Sequence, residues 1–328
     1  MFGEPGHKIP ERIAFFLVPD FSLIAFSASV EPLRIANRMA GQELNAWRIL
    51  SKNGEPVQAS SGIAVTADAA MTQFADGDRP PFSSILVCSG IRAEHYEDRE
   101  VFAWLRRTER KGVDIGAICT GSHILARAGL LGGYRCTIHW ENLPGFAEAF
   151  PDIEVAAHLF EIDRNRFTCS GGTAGLDMML HLISHQHGEE LATKVSEQCL
   201  LDQIRRSHSN QRMPLNVRLG GHHPKLIATI GMMEANLEEP LSPEELAAYV
   251  GLSRRHLERL FRKHLGRSPA QYYLELRLER ARHLLYQTDM PVLDVALASG
   301  FISASHFSKC YRHMYGKTPR AERIGVAA

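Results

Sequence analysis

Two hydrophobic periods divide the chain. From Arg12 to about His187, short apolar runs alternate with longer stretches in which apolar residues return every three or four positions. The runs RIAFFLV (from Arg12), WRILSK (from Trp47), SSILVCSG (from Ser83) and DIGAICTG (from Asp114) predict strands. The stretches SASVEPLRIANRMA (from Ser27), DREVFAWLRRTERKG (from Asp98) and TAGLDMMLHLISHQH (from Thr173) predict amphipathic helices. This alternation is the pattern of an α/β fold, in which a mostly parallel sheet buries both faces under helices. Ligands then bind beyond the carboxyl ends of the strands, where Ser89-Gly90 and Cys119-Thr120-Gly121 fall. A helix from about Glu189 to Arg205 is expected to close the unit. The stretch 207–224 is polar, with two prolines and a Gly-Gly pair, and reads as a linker between a domain at 10–206 and another at 225–324.

Beyond the linker every segment has a helical period, and one unit occurs twice. Leu246, Ala247 and Gly251 match Val295, Ala296 and Gly300 at an offset of 49 residues. After a one-residue insertion, His256-Leu257, Phe261-Arg262, Gly266 and Pro269 match His306-Phe307, Tyr311-Arg312, Gly316 and Pro319 at an offset of 50. Each copy has helix-turn-helix chemistry: a small alanine where two helices cross, a glycine in the turn, and a polar residue opening a second helix with an apolar inner face. Leu257, Leu260, Phe261 and Leu265 make that face in the first copy; Phe307, Tyr311 and Met314 are expected to make it in the second. This leaves Ser253, Arg254, Arg255, Glu258, Arg259 and Arg262 on other faces of the first helix, and Ser303, Ser305, His306, Ser308, Lys309 and Arg312 on those of the second. The start of such a helix reaches base edges in the major groove, and basic residues along it neutralise phosphates. A long helix from Ala270 to Gln287 joins the copies, and two units about 34 Å apart read successive major grooves from one side of a duplex.

Charge sharpens this picture. The whole chain carries 37 Lys+Arg and 37 Asp+Glu, but from His222 onward the count is 15 against 11, and before it 22 against 26. Between Ser253 and Arg282 nine basic residues face three acidic ones, which favours an anionic partner such as DNA. The six cysteines form no CxxC and no short secreted framework, so reduced thiols are expected. The start, MFGEPGHKIPER, lacks an apolar signal core, and no run approaches the roughly 18 apolar residues of a membrane span. A cytoplasmic protein with no membrane partner is expected.

The segments LSPEELAAYVGLSRRHLERLFRKHLGRSPAQYYLELRLERARHLL and VALASGFISASHFSKCYRHMYGKTPRAER resemble the AraC/XylS-type DNA-binding domain over about a hundred residues. The resemblance implies seven helices, with recognition helices near Ser253 to Leu265 and Ser303 to Tyr315. Upstream, AICTG on a predicted strand-turn-helix, followed by TIHW, resembles the PfpI-type and class I glutamine-amidotransferase-like superfamily. That resemblance implies a flavodoxin-like parallel sheet sandwiched by helices, with Cys119 on a strained elbow between the small residues Ala117 and Gly121. It also implies that His139 and Glu31, from VEPLRIAN, stand beside the thiol; such a Cys/His/Glu set would suit acyl transfer, with a helix N-terminus favouring the thiolate.

The fusion of the two domains resembles the GlxA-like transcriptional regulators. VEPLRIAN, CTIHWENL, DRNRFTCSGGTAGLDMMLHLI and MEANLEEPLS most resemble regulators of arginine, carnitine and glycine-betaine catabolism. The resemblance implies a homodimeric one-component activator, not an enzyme, that binds double-stranded promoter DNA, works with RNA polymerase and needs no cofactor. Its effector, a small nitrogenous metabolite, is expected among Glu31, Cys119, Thr120, His139, Trp140, Gly172 and Thr173, where a carboxylate and an indole suit a cation. The glycines and first amides after Ser170 could receive a carboxylate. The rival is a cysteine hydrolase or amidotransferase using Cys119, His139 and Glu31, with a helical interaction tail. His181 and His185 have zinc-compatible spacing but no third ligand, so no metal is assigned.

Overall fold

A computed structural model describes residues 10–74, 80–221 and 223–324. The first nine residues of the chain, read as lacking a signal core, and His222 of the expected linker lie outside that set. The chain forms two compact units, divided between Gln211 and Arg212.

The first unit runs β1 (Glu11–Leu17), α1 (Leu23–Ala40), β2 (Asn45–Ser51), β3 (Val57–Gln58), β4 (Ala64–Val65), β5 (Ala69–Ala70), β6 (Ser84–Cys88), α2 (Arg99–Arg110), β7 (Asp114–Ile118), α3 (Gly121–Arg127), β8 (Arg135–Thr137), α4 (Leu143–Ala149), β9 (Glu154–Ala156), β10 (Phe160–Asp163), β11 (Arg166–Cys169), α5 (Ala174–His187) and α6 (Glu189–Gln198). Seven strands form one sheet in the order β10-β11-β7-β6-β1-β2-β5, parallel except for β10. Strand alternation assigns the two cores. Ile13, Phe15 and Leu17 of β1 pack with Phe26 and Leu33 of α1 and Met178 of α5, while Ala14 and Phe16 turn to the opposite face. There they meet α2, α3 and α4, and Phe16 lies 5.2 Å from the ring of the buried Trp104. All five residues of β6 and of β7 are buried, which is why these strands read as unbroken apolar runs.

The closing helix expected to reach Arg205 stops at Gln198, with Cys199 as its cap. The segment after it is held to the unit by hydrogen bonds instead: the Leu159 amide donates to Ser207 O, and His158 pairs with Asn210. The first residues of the expected linker are therefore fixed to the first unit, and a short helix, α7 (Leu215–Arg218), lies within the rest.

Seven further helices follow: α8 (Pro224–Ala235), α9 (Pro243–Tyr249), α10 (Arg254–Leu265), α11 (Pro269–Gln287), α12 (Val292–Ala298), α13 (Ala304–Tyr315) and α14 (Pro319–Ile324). Their ends are written in the sequence. Ser242 and Glu245 form a capping box around Pro243, and Ser253, Ser268 and Ser303 each accept a bond from a backbone amide of the first turn. Gly266 and Gly316 close α10 and α13 in the left-handed conformation. Two separate cores result, one around Leu257, Phe261 and Tyr273 and one around Leu285, Phe307 and Tyr311. Met314, expected inward, is exposed; Tyr315 packs there instead, its ring 4.7 Å from Tyr311.

Candidate functional site

Four segments meet at the carboxyl edge of the sheet in the first unit. Cys119 follows β7 with φ of 61°, a left-handed conformation that costs a non-glycine residue on the order of 1–3 kcal/mol. Its amide donates to Cys169 O at 3.0 Å, and the next residue, Thr120, donates its hydroxyl to Gly90 O at 2.6 Å. The neighbours must be small. A Cβ on Gly121 would stand 2.3 Å from Val87 O, and one on Gly171, itself at φ of 87°, would stand 2.7 Å from Cys119 Sγ. The elbow expected from AICTG is thus present.

Its chemistry differs from that expected. Burial pushes the Cys119 thiol up to about 12, with Cys169 and Glu141 adding to the shift and contacts with Thr120 opposing it. The thiol is therefore protonated near neutrality, and the short α3 behind it does not reverse this. His139 makes no hydrogen bond to Cys119 among the described residues. Its Nδ1 accepts from the Glu141 amide at 3.4 Å and lies 3.7 Å from Glu141 Oε2, and burial lowers its pKa against the opposing pull of that carboxylate. Trp140 is half-buried, its ring 5.6 Å from His139.

Glu31 is not at this site. On α1, Ser29, Pro32, Leu33 and Ala36 are buried, and Glu31 projects from the exposed face, bonded to Arg34 Nε at 2.8 Å and Nη2 at 2.6 Å. Two residues of helix turn the side chain about 200° from Ser29, which packs toward Gly175 of α5. The thiol beside Glu31 and Arg34 is Cys199. The carboxylate acting on Cys119 belongs to Glu141, two residues after His139; an acid in the HWE triplet was the only signal for it.

Gly172 and Thr173 follow Gly171, ahead of α5. The Thr173 hydroxyl accepts from Arg205 Nη2 at 2.7 Å, and Arg205 also binds the buried Asp177 through Nε at 3.0 Å and Nη2 at 2.5 Å. On the His139 side, Gln211 Nε2 donates to Thr137 Oγ1 at 3.1 Å, Ile138 O at 2.9 Å and His158 O at 2.8 Å. One strap, 205–211, is therefore bonded both to Thr173 and Asp177 at the start of α5 and to the end of β8 just ahead of His139. No period or motif in the sequence announces Arg205 or Gln211, whose partners lie 28 to 74 residues away.

In the second unit, α10 and α13 present the expected outer faces. Ser253, Arg254, Arg255, His256, Arg259 and Arg262 are exposed on α10, with Glu258 half-exposed; Ser303, Ser305, His306, Lys309 and Arg312 are exposed on α13. Arg254 is held by Glu244 (2.7 Å) and Glu258 (3.4 Å). A groove along α10 is lined by Ser253, Arg255, His256, Glu258, Arg259 and Arg262. On α13, His306 Nε2 lies 3.3 Å from Cys310 Sγ.

His181 stacks near Phe160, ring centres 5.5 Å apart, and among the described residues no group of three or more His, Cys, Asp or Glu side chains could hold a metal ion. No helix of the described residues is long and apolar enough to cross a membrane.

Comparison with known proteins agrees with this division. Residues 11–185 match the DJ-1/PfpI family and residues 246–323 a helix-turn-helix domain. The chain is 49% identical over 321 residues to the HTH-type transcriptional regulator GbdR of Pseudomonas aeruginosa, covering 98% of this chain and 86% of that protein. It is 37% identical over 325 residues to the HTH-type transcriptional regulator GlxA of Rhizobium meliloti, covering 98% of each. A crystal structure of an AraC family transcriptional regulator from Pseudomonas putida aligns with a TM-score of 0.52 at 25% identity, covering 58% of this chain and all of that one. With a DJ-1/PfpI-type α/β domain ahead of twin helix-turn-helix units, the chain belongs to the AraC-family transcriptional regulators of the GlxA and GbdR type.

Proposed function

We propose that this regulator is an activator that works in the cytoplasm as a homodimer, binds double-stranded promoter DNA through α10 and α13, and acts there with RNA polymerase. The observation that carries the reading is the pair of exposed, cationic helix faces, each opened by a capped serine and backed by its own core. Ser253, Arg254, Arg255, Glu258, Arg259 and Arg262 of the first helix, and Ser303, Ser305, His306, Lys309 and Arg312 of the second, contact the duplex.

The first unit senses a small nitrogenous metabolite, such as a betaine, carnitine or an amino acid, among Cys119, Thr120, His139, Trp140, Gly172 and Thr173. Glu141 takes the place first given to Glu31 as the carboxylate that attracts a cation, to which the Trp140 indole face adds a cation–π contact of about 0.5–2 kcal/mol. The site binds without turnover. In support, burial favours the protonated thiol, which among the described residues has no hydrogen bond to a histidine base. The strap 205–211 carries the signal: an effector that engages Thr173 or shifts Thr137-Ile138 at the end of β8 competes with Arg205 or Gln211, and the strap leads directly into the DNA-binding unit.

Mobility-shift and transcription assays with the full chain on DNA beside its own gene, against a panel of betaines, amines and amino acids, test the reading. One metabolite class is expected to change DNA binding or transcription, and Cys119→Ala should keep at least part of that response with no metabolite consumed. Consumption at an enzymatic rate, abolished in Cys119→Ala, would replace the sensor with a cysteine hydrolase.

A further inference from the structure

The two helix-turn-helix units are one design used twice, and their turns differ by a single residue. In the first turn the Leu252 amide donates to Ala247 O at 2.9 Å; in the second the Phe301 amide makes the same bond to Ala296 O, also at 2.9 Å. Leu252 and Phe301 are therefore equivalent, and both turn inward. Leu252 packs on the core around Leu257 and Phe261, and Phe301 lies 5.1 Å from Phe307 with the Arg277 guanidinium 4.2 Å from its ring centre. Downstream, Ser253 and Ser303 are equivalent, because each caps its helix by accepting from the amide of His256 or His306. Leu252 is followed directly by its cap. Phe301 is not, and the extra residue is Ile302.

The first unit makes the same turn and the same cap without such a residue, so the fold does not require Ile302. Its side chain is 98% exposed, more than any other large apolar residue among those described. It stands one position ahead of the cap of α13, whose first turns carry Ser305, His306 and Lys309. In a recognition helix that enters the major groove by its N-terminal end, this position faces base edges, and the apolar group a base edge offers there is the 5-methyl of thymine.

We infer that Ile302 is a specificity-determining residue that packs on a thymine methyl group, giving α13 a preference for one T·A pair that α10, lacking the residue, does not share. The inference rests on the reading of α10 and α13 as DNA-reading helices. Its test uses the full chain and an operator selected from a randomised duplex pool, with each thymine replaced in turn by deoxyuridine, which deletes only the methyl. For the wild type, deoxyuridine at one position should weaken binding about fourfold, the loss expected for one buried methyl. In Ile302→Ala the same replacement should cost nothing, while the thymine duplex binds at least about fourfold more weakly than it binds wild type. An unchanged melting temperature for the variant excludes a folding defect. If the wild type selects no operator, the DNA-binding reading fails. If an operator is selected but no thymine is coupled to position 302, or if Ile302→Ala binds normally and loses only polymerase-dependent transcription, the inference alone is overturned.

Discussion

Cys119 and His123 lie four residues apart at one elbow, and burial keeps both neutral: it raises the thiol and depresses the imidazole. His123 is wedged against Phe146 (5.1 Å) and Phe150 (6.1 Å), its Nε2 has no hydrogen-bond partner among the described residues, and its pKa falls to about 3 through burial and the nearby Arg127 and His95. Between its ordinary 6.5 and that value the unfolded chain holds the additional proton. The stability it contributes is therefore fully present above pH 6.5 and is lost as pH falls toward 3, with a slope of up to about 1.4 kcal/mol per pH unit. His123→Phe is expected to flatten that loss, measured as the difference in urea unfolding free energy between pH 7 and pH 5. An unchanged slope would place the acid sensitivity elsewhere. The sequence named Cys119 because a strand, an elbow and small neighbours are local features. It gave no warning that the thiol is fully protonated or that His123 is buried, because desolvation depends on what packs against a residue from elsewhere in the chain.

At the level of helices, the outer faces of α10 and α13 differ in how freely their cations can move. Among the described residues Lys309 makes no ion pair, whereas Arg254 is engaged by Glu244 and Glu258 and must leave them to meet a phosphate or base. Lys309→Ala should weaken binding almost equally on all sequences and lower the slope of log affinity against log salt by about 1. Arg254→Ala should reduce binding to the chosen operator, and Glu244→Gln, which releases the arginine, should strengthen binding to any duplex at low salt. Affinity unchanged in all three, by fluorescence anisotropy at two salt concentrations, would mean that these faces do not meet DNA. The caps, the turn glycines and the inner faces of these helices were legible in the sequence, since each depends on residues within one or two turns. Met314 was misplaced because positions three and four after Tyr311 both fall near the inner face, and only packing chose Tyr315.

For the molecule as a whole, the strap 205–211 is where the chain joins the proposed sensing unit to the helix-turn-helix unit. Gln211 is the last residue of the first unit, and its amide contacts Thr137, Ile138 and His158. Gln211→Ala removes these bonds without stranding a buried charge, unlike a change at Arg205 beside Asp177. The variant should still bind the effector, as read by thermal shift, while the effector's influence on DNA affinity falls by at least about fivefold. Full retention of that influence would show that the signal leaves the first unit by another route.

The sequence alone determined the two-domain order, the parallel sheet, the elbow at Cys119 and the repeated helix-turn-helix. All of these follow from short-range periodicity, turn chemistry and capping, which act between neighbours in the chain. Only the tertiary structure decided that Glu31 faces solvent and Glu141 stands beside His139, that Arg205 and Gln211 tie a strap to Thr173 and to the end of β8, and that Ile302 is the extra residue left in water. These depend on which distant segments meet and on the desolvation and hydrogen bonds that their meeting creates.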